Sequence, residues 1–177
     1  MKIFENHTDE VQAILAKYPA DQKRSAVMPL LYLAQRTGGF VTKQAMQEIA
    51  DICEITATEV AGIVGFYSLY YDEPEGKYRI QVCTDLPCAL RGADAFLEKL
   101  CQNLGIQVGE TTPDGKVTVE AVMCLAGCDK APMFQVQSFD GADPHEHLKY
   151  YENQTVESAT ELIEKLRVET SLITSPF

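Results

Sequence analysis

The N-terminal half of the chain repeats hydrophobic residues at helical spacing in four short segments. The residues on these faces are Val11, Ile14, Leu15 and Tyr18; Val27, Leu30, Leu31 and Ala34; Ala45, Ile49, Ile52 and Cys53; and Val60, Ile63, Val64 and Tyr67. Thr8, Thr42 and Thr56 are the predicted starts of the first, third and fourth helices, because a threonine hydroxyl can accept a hydrogen bond from a free N–H of the first turn. Glu59 completes a capping box with Thr56. Four short helices predict a small bundle.

An aromatic run, GFYSLYY at 65–71, follows the fourth segment. We predict that it packs in the core, since clustered aromatic residues are more often buried than exposed. A contact surface is the alternative, because Tyr is enriched at interfaces. The next residues, DEPEG at 72–76, have the composition of a linker. We therefore place a helical domain at 1–75 and a second domain at 76–177.

The second half changes to an alternating pattern, which predicts β-strands. Strands are predicted at 77–83, 117–122, 133–136 and 147–151, and helices at 89–103 and after Thr155. The order β-α-β-β-α, with one further short strand in the hairpin, suggests a thioredoxin-like core. The predicted fold class is therefore α/β (α+β), with an N-terminal helical bundle followed by a thioredoxin-like domain.

Four cysteines form two close pairs, Cys83-x4-Cys88 and Cys124-x3-Cys128, and each pair follows a predicted strand. Loops that leave adjacent strands of one sheet can converge, so the four thiols are expected to meet. Four converging thiolates repel one another and are costly to desolvate, and a metal centre removes both penalties. A zinc ion or a [2Fe-2S] cluster satisfies this condition.

The spacing of the pairs favours the cluster over zinc. Structural zinc sites usually hold each pair as C-x2-C around one small ion. The wider gaps here suit pairs that each hold one iron of a two-iron centre. A zinc site remains the second interpretation, and disulfides or inert core thiols are the third.

Composition and charge limit the expected cellular compartment and the kinds of binding partner. The chain has 177 residues, 46% of them hydrophobic, and six cysteines. We expect a cytoplasmic protein without membrane insertion, because no signal-peptide or membrane-spanning pattern is present. Thiols stay reduced in the cytosol, and Cys53 and Cys101 lie on helical apolar stripes, so these two are predicted core residues. A net charge of -11 argues against nucleic acid and suits a basic protein partner.

Motifs for catalysis by the chain itself are missing from the sequence. It contains no G-x-G-x-x-G, no G-x-x-x-x-G-K-[ST] and no C-x-x-C. His145 and His147 lack a third ligand nearby and are predicted to lie in a solvated loop. The sequence therefore predicts an electron carrier without a substrate site of its own.

Several segments together resemble the family of thioredoxin-like [2Fe-2S] ferredoxin subunits of NADH:quinone oxidoreductase, respiratory complex I. They are GFYSLYY, KYRIQVCTDLPCALRGA at 77–93, TPDGKVTVE at 112–120 and CLAGCDKAPMFQV at 124–136. The resemblance implies a thioredoxin-like domain with one [2Fe-2S] cluster and the ligands Cys83, Cys88, Cys124 and Cys128. It also implies electron exchange with a partner subunit that binds FMN and NADH, neighbouring iron-sulfur subunits, and a cytoplasmic position peripheral to the membrane. NAD-linked hydrogenases and formate dehydrogenases contain the same module, so the host complex stays open.

The chain departs from that family pattern beside the third cysteine. Met123 stands where an acidic residue is usual, and Ala126 stands where Gly is usual, with Gly127 one position later. We expect the loss of a carboxylate at Met123 to raise the reduction potential relative to acidic relatives.

Backbone dipoles are expected to stabilise an anionic cluster. We predict that the N-terminus of a helix starting after Cys88 and the amides of 125–129 point at the cluster. Arg91 and Lys130 are nearby cations, with solvated side chains as the simpler interpretation.

Overall fold

The computed structural model describes residues 3–138 and 148–168. Their contacts divide the chain into two compact units, Met1–Pro74 and Glu75–Phe177. The predicted turn at Asp140 and Gly141, and His145 and His147, lie outside the described residues.

The first unit contains four α-helices: α1 (Thr8–Leu15), α2 (Val27–Gly38), α3 (Lys43–Cys53) and α4 (Ala57–Phe66). Short 3-10 turns precede α1 and α2, at Ile3–Asn6 and Lys23–Ala26. The faces predicted from the sequence supply the core, whose fully buried members include Leu30, Leu31, Ala34, Ala45, Ile49 and Val60. Cys53 is buried in this core, as predicted.

Two of the three caps predicted for this unit are confirmed. Thr42 accepts a hydrogen bond from Ala45 N–H at 3.1 Å, and Thr56 forms the complete capping box with Glu59. The prediction for Thr8 was wrong. His7 occupies the cap position, and the Thr8 hydroxyl instead donates to the Glu5 carbonyl oxygen at 3.3 Å.

The aromatic run after α4 is largely exposed, so its prediction as core was wrong. Phe66 is 80% exposed and Tyr67 42% exposed, whereas Tyr71 is buried. Buried Gln35 holds this segment in place: its amide donates to the Leu69 carbonyl at 2.7 Å and accepts from Tyr71 N–H at 2.7 Å. The backbone after α4 is thus fixed while its first aromatic rings face outward.

The second unit is built on a four-stranded sheet in the order β2-β1-β3-β4. The strands are β1 (Tyr78–Cys83), β2 (Val117–Val122), β3 (Phe134–Ser138) and β4 (Leu148–Tyr151). β1 is parallel to β2 and antiparallel to β3, and β3 is antiparallel to β4. This confirms the predicted mixed α/β class.

The connection from β1 to β2 contains two helices where the sequence predicted one. They are α5 (Leu86–Leu90) and α6 (Ala93–Leu104), separated by Arg91 and by Gly92 with φ +89°. Gly tolerates this left-handed backbone, which an α-helix does not contain.

The last helix, α7 (Val156–Val168), packs beside α6 on one face of the sheet. Thr155 caps it, accepting from Ser158 N–H at 3.2 Å. Ile80 and Val82 of β1, Phe134 of β3 and Ile163 of α7 form the centre of this core together with the α6 stripe. Cys101 lies in the same core, as predicted. Within the described ranges, no helix is long and apolar enough to cross a membrane.

Asp114 connects the turn before β2 to the end of α7. Its carboxylate accepts hydrogen bonds from the Thr112 hydroxyl at 2.5 Å, from the Arg167 guanidinium at 2.7 Å and from Lys116 N–H at 3.2 Å. These donors, with Thr112 first, lower the pKa of Asp114 to about 2. The folded-state pKa is below the unfolded value of about 3.9. The ionised carboxylate therefore stabilises the fold above about pH 4.

Replacing Asp114 with Asn is expected to lower the free energy of unfolding at neutral pH. The difference from the original protein should shrink as the pH falls from about 4 towards about 2, because the carboxylate then becomes protonated in both states. Urea unfolding of both proteins across this range measures the difference. A constant difference down to about pH 2 would contradict the assigned pKa.

Candidate metal centre

The first cysteine pair begins where β1 ends. Cys83 is the last residue of β1 and pairs in register with Val122, the last residue of the parallel strand β2. Thr84 N–H donates to the Val122 carbonyl at 3.0 Å, so the two strand ends stay joined beyond the sheet. Because parallel strands end at the same edge, the loops that follow them leave from neighbouring points.

Cys88 lies inside the short helix α5, which Asp85 caps. The Asp85 carboxylate accepts from Leu86 N–H at 2.9 Å, and Pro87 lies in the first helical turn. Cys88 is 1% exposed and Cys83 is 2% exposed. The first pair therefore points into a small buried cluster that also contains Ala93, Ala131 and Met133.

The second pair lies on a tight loop after β2, and both its cysteines are exposed. Ala126 between them adopts a left-handed backbone with φ +61°, and its N–H donates to Cys124 Sγ at 3.4 Å. Gly127 passes so close to Met133 that an added Cβ would lie 2.5 Å from Met133 Sδ. The displaced Gly127 thus allows the loop to pack against the buried cluster.

Three hydrogen bonds from two other segments hold this second loop. Asn153 N–H donates to the Lys130 carbonyl at 2.7 Å, and Gln154 N–H donates to the Pro132 carbonyl at 2.8 Å. The Arg91 guanidinium donates to the Asp129 carbonyl at 3.2 Å, which joins the first cysteine loop to the second. The cysteines therefore sit on braced loops although two of them face outward.

The four thiols interact as two pairs. The thiol of Cys88 interacts with that of Cys83, and the thiol of Cys128 interacts with that of Cys124. Between the pairs the interaction is electrostatic, because the charges of the Cys128 and Cys124 thiolates raise the pKa of Cys88. Burial first, then the neighbouring thiols, raise the pKa of Cys88 to about 12, and desolvation and Cys124 raise the pKa of Cys128. The raised pKa of Cys88 and of Cys128 means that ionising these two thiols costs free energy, which a cationic centre would offset.

The arrangement of the four thiols in two pairs can be compared with the ligands that a metal centre requires. Among residues 3–138 and 148–168, no group of three or more His, Cys, Asp or Glu side chains could hold one metal ion. A [2Fe-2S] cluster needs two thiols at each of two irons, which corresponds to two separate contacting pairs. Cys83 with Cys88 and Cys124 with Cys128 supply this number of thiols, so the donor set fits the two-iron group.

Two expectations about the surroundings of the site change. The long helix α6 begins at Ala93, not directly after Cys88, so its N-terminus is not the one that follows the first pair. Among the predicted cations, Arg91 bonds to the second loop and Lys130 pairs with Glu152 at 3.6 Å. Arg91 thus joins the two cysteine loops, and the charge of Lys130 is paired with that of Glu152, the residue after β4.

Sequence reasoning missed the packing residues Met133 and Gly127 and the cap residue Asp85. The cap had a recognisable signal, since Asp followed by Pro in the next helical turn is typical of a helix start. The contact between Gly127 and Met133 had none, because it depends on how the loop returns towards β3.

Replacing Ala126 with Gly is expected to stabilise the protein by roughly 0.5–1 kcal/mol, because an L-residue is strained in the left-handed region where Gly is not. Thermal unfolding of the iron-loaded protein measures this. Ala131→Gly is the matched control. Ala131 has φ -70°, a backbone conformation without strain for Ala, so this change should destabilise the protein. Lower stability of the Ala126 variant would contradict the assigned strain.

A four-stranded mixed sheet with helices on one face is the fold of a thioredoxin-like domain, and here two pairs of cysteines follow the ends of two of its strands. The family model of the thioredoxin-like [2Fe-2S] ferredoxins matches residues 11–167. The chain belongs to this family.

Relatives with known names extend the comparison. NADH-quinone oxidoreductase subunit 2 of Thermus thermophilus is 43% identical over 136 residues, which cover 77% of this chain and 75% of that protein. The mitochondrial NADH dehydrogenase (ubiquinone) flavoprotein 2 of Dictyostelium discoideum is 38% identical over 159 residues, covering 89% of this chain and 60% of that protein. The chain thus spans about three fifths of the Dictyostelium protein's length.

Solved structures support the fold. A chain of an NAD+-reducing [NiFe]-hydrogenase in the air-oxidized state matches with a TM-score of 0.67 and 21% sequence identity. The match covers 90% of this chain and 26% of the hydrogenase chain. At this identity the likeness concerns the fold alone.

Proposed function

We propose that the chain is an electron-transfer subunit of an NADH:quinone oxidoreductase and holds one [2Fe-2S] cluster through Cys83, Cys88, Cys124 and Cys128. The observation that carries the proposal is the pairing of the thiols at one edge of the sheet. When bound, such a cluster accepts and releases single electrons. The names of the Thermus and Dictyostelium relatives support this assignment.

The chain's own residues give the site a buried side and an open side. Cys83 and Cys88 close the inner side together with Met133, and Cys124 and Cys128 form the outer side. We infer that a partner's redox group approaches from the side of Cys124 and Cys128, because electron transfer is fastest where the least protein intervenes. The braced loops keep that side fixed during exchange.

The proposed partner is the subunit that binds FMN and NADH, with further iron-sulfur subunits in the same assembly. The proposed position is cytoplasmic and peripheral to the membrane. Residues 1–75 and 76–177 are the proposed domains. An NAD-linked hydrogenase or formate dehydrogenase is the alternative host, and the hydrogenase fold match is compatible with it.

Co-expression with the flavin subunit of the same organism tests the proposal. We expect the two chains to purify together, and NADH to bleach the visible absorption of the cluster under anaerobic conditions. A chain that elutes alone, or a cluster absorption that NADH leaves unchanged in the pair, would contradict the electron-transfer role.

Replacing Met123 with Glu is expected to lower the reduction potential. Met123 precedes Cys124 and is 77% exposed, so a carboxylate there adds negative charge beside the site, and solvent limits the size of the shift. Redox titration of both proteins measures the shift, with Met123→Gln as the neutral control. An equal or higher potential in the Glu variant would refute the charge argument.

A further inference from the structure

Helix α4 is apolar on both of its sides. Val60 and Val64 are buried in the first unit, whereas Ala61, Gly62 and Gly65 lie on the other side and are exposed. Glu59 is the only charged residue in the helix, and it is paired with Arg24 at 3.0 Å. A helix that is hydrophobic all round is normally buried all round.

No contact or backbone conformation among the described residues requires glycine at positions 62 and 65 of α4. Neither Gly62 nor Gly65 has a left-handed backbone, and a Cβ at either position would meet no heavy atom within 4 Å. A helical Gly costs roughly 1 kcal/mol relative to Ala. Residues without side chains on an exposed helix face let another backbone approach closely.

Large exposed apolar side chains lie at the end of α4 and on α2. Phe66 is 80% exposed, and its ring meets Tyr67 edge to face with centroids 5.1 Å apart. Met28 is 36% exposed, and its carbonyl accepts the Tyr70 hydroxyl at 3.0 Å, which places α2 beside the aromatic run. Exposed aromatic and Met residues with few charges are the composition of an interface core.

Charge distinguishes between the partners that could cover this surface. Asp72 and Glu73, both exposed, follow the aromatic run directly. The whole chain carries a net charge of -11, so a second copy would be repelled. A partner with basic residues around an apolar segment is attracted instead.

We propose that this α4 surface, formed by Ala61, Gly62, Gly65, Phe66 and Met28, is a docking site for an apolar helix of another subunit, with basic residues flanking that helix. The inference rests on the proposed function, because it takes the occupant from the same oxidoreductase assembly. The glycines admit the partner's backbone, and Phe66 packs beside it.

The test compares variants in the intact complex, purified through an affinity tag on this chain. Gly65→Leu fills the face, and Phe66→Ser removes the largest contact. We expect each variant to lower the amount of other subunits recovered per tagged chain by about tenfold, as interface hot spots do. Val168→Ser, at an equally exposed position of 80%, is the matched control and should leave recovery unchanged.

Stability of the isolated full-length chain separates docking from folding. Gly65→Leu should keep or raise the thermal unfolding temperature, because Leu favours a helix more than Gly and meets no atom there. A photocrosslinker in place of Phe66 should join the chain to an apolar, basically flanked segment of another subunit. Unchanged recovery with Gly65→Leu, or a crosslink to a second copy of the chain, would overturn the inference.

The two proposals fail in different ways. A tagged original chain that lacks the visible absorption of a [2Fe-2S] centre contradicts the proposed function. A red-brown chain whose Gly65→Leu variant still recovers all subunits contradicts the α4 surface alone.

Discussion

Replacing Cys88 with Ala is expected to reduce the iron and sulfide content of the purified protein to near zero. Cys88 is 1% exposed and lies in one buried cluster with Cys83, so its thiol is on the closed side of the site where solvent cannot supply a substitute ligand. In the proposed site Cys83 and Cys88 would hold one iron, so the variant would leave that iron with one protein ligand, and [2Fe-2S] clusters with cysteine ligands usually have four. Iron and acid-labile sulfide analysis of anaerobically purified protein gives the result.

Cys101→Ala is the matched control for this change. Cys101 is 4% exposed, so it shares the burial of Cys88, but it lies among the apolar side chains of the α6 core. We expect the control to keep full iron content with a modest loss of stability. Retained iron in the Cys88 variant, or lost iron in the Cys101 variant, would overturn the ligand assignment.

Replacing Phe134 with Ala is expected to destabilise the protein by about 3–5 kcal/mol. Phe134 is fully buried at 0% exposure and stacks between Phe96 and Tyr151, with ring centroids at 6.4 and 5.3 Å. It pairs across the sheet with Val82, the residue before Cys83. The cavity therefore removes packing from α6, from β4 and from the strand that carries the first cysteine.

Denaturant unfolding measures the Phe134 effect, and Tyr150→Ala on the neighbouring strand is the control. Tyr150 is 48% exposed, so its truncation leaves less of a cavity and should cost under about 1 kcal/mol. Equal losses from the two changes would contradict the assignment of Phe134 to the core.

The helical bundle was predictable because its signals are local. The apolar faces of α2 and α3 and the caps Thr42 and Thr56 depend on residues within one or two turns of each other. Thr8 failed as a cap because its position relative to the first turn depends on the preceding 3-10 turn at Ile3–Asn6. One residue decides whether a hydroxyl lies before the helix or in it.

The positions of the strands in the sequence were predictable, but the burial of their polar side chains was not. Alternation located β1 and β2, yet every residue of β1 is buried, including Arg79 and Gln81. These polar side chains are accommodated by Glu120, which accepts from Arg79 at 2.9 Å and from Gln81 at 2.7 Å. A cross-strand network of this kind depends on register, which a single sequence does not display.

At the candidate site, too, the features set by local sequence were predictable and those set by tertiary packing were not. The cysteine spacing after two strands predicted that the thiols would meet, and the parallel register of Cys83 with Val122 explains why the two loops start side by side. The unequal exposure of the two pairs was not predictable, because it results from α5 folding inward and from the second loop resting on Met133. The exposed aromatic run was also missed, since composition alone does not show which side of a helix faces solvent.

Reduction of the anaerobically purified chain, followed by electron paramagnetic resonance together with iron and sulfide counts, tests the central claim most directly. We predict two irons and two sulfides per chain and an S = 1/2 signal that appears on one-electron reduction. A colourless protein that contains one zinc and gives no signal would contradict the claim.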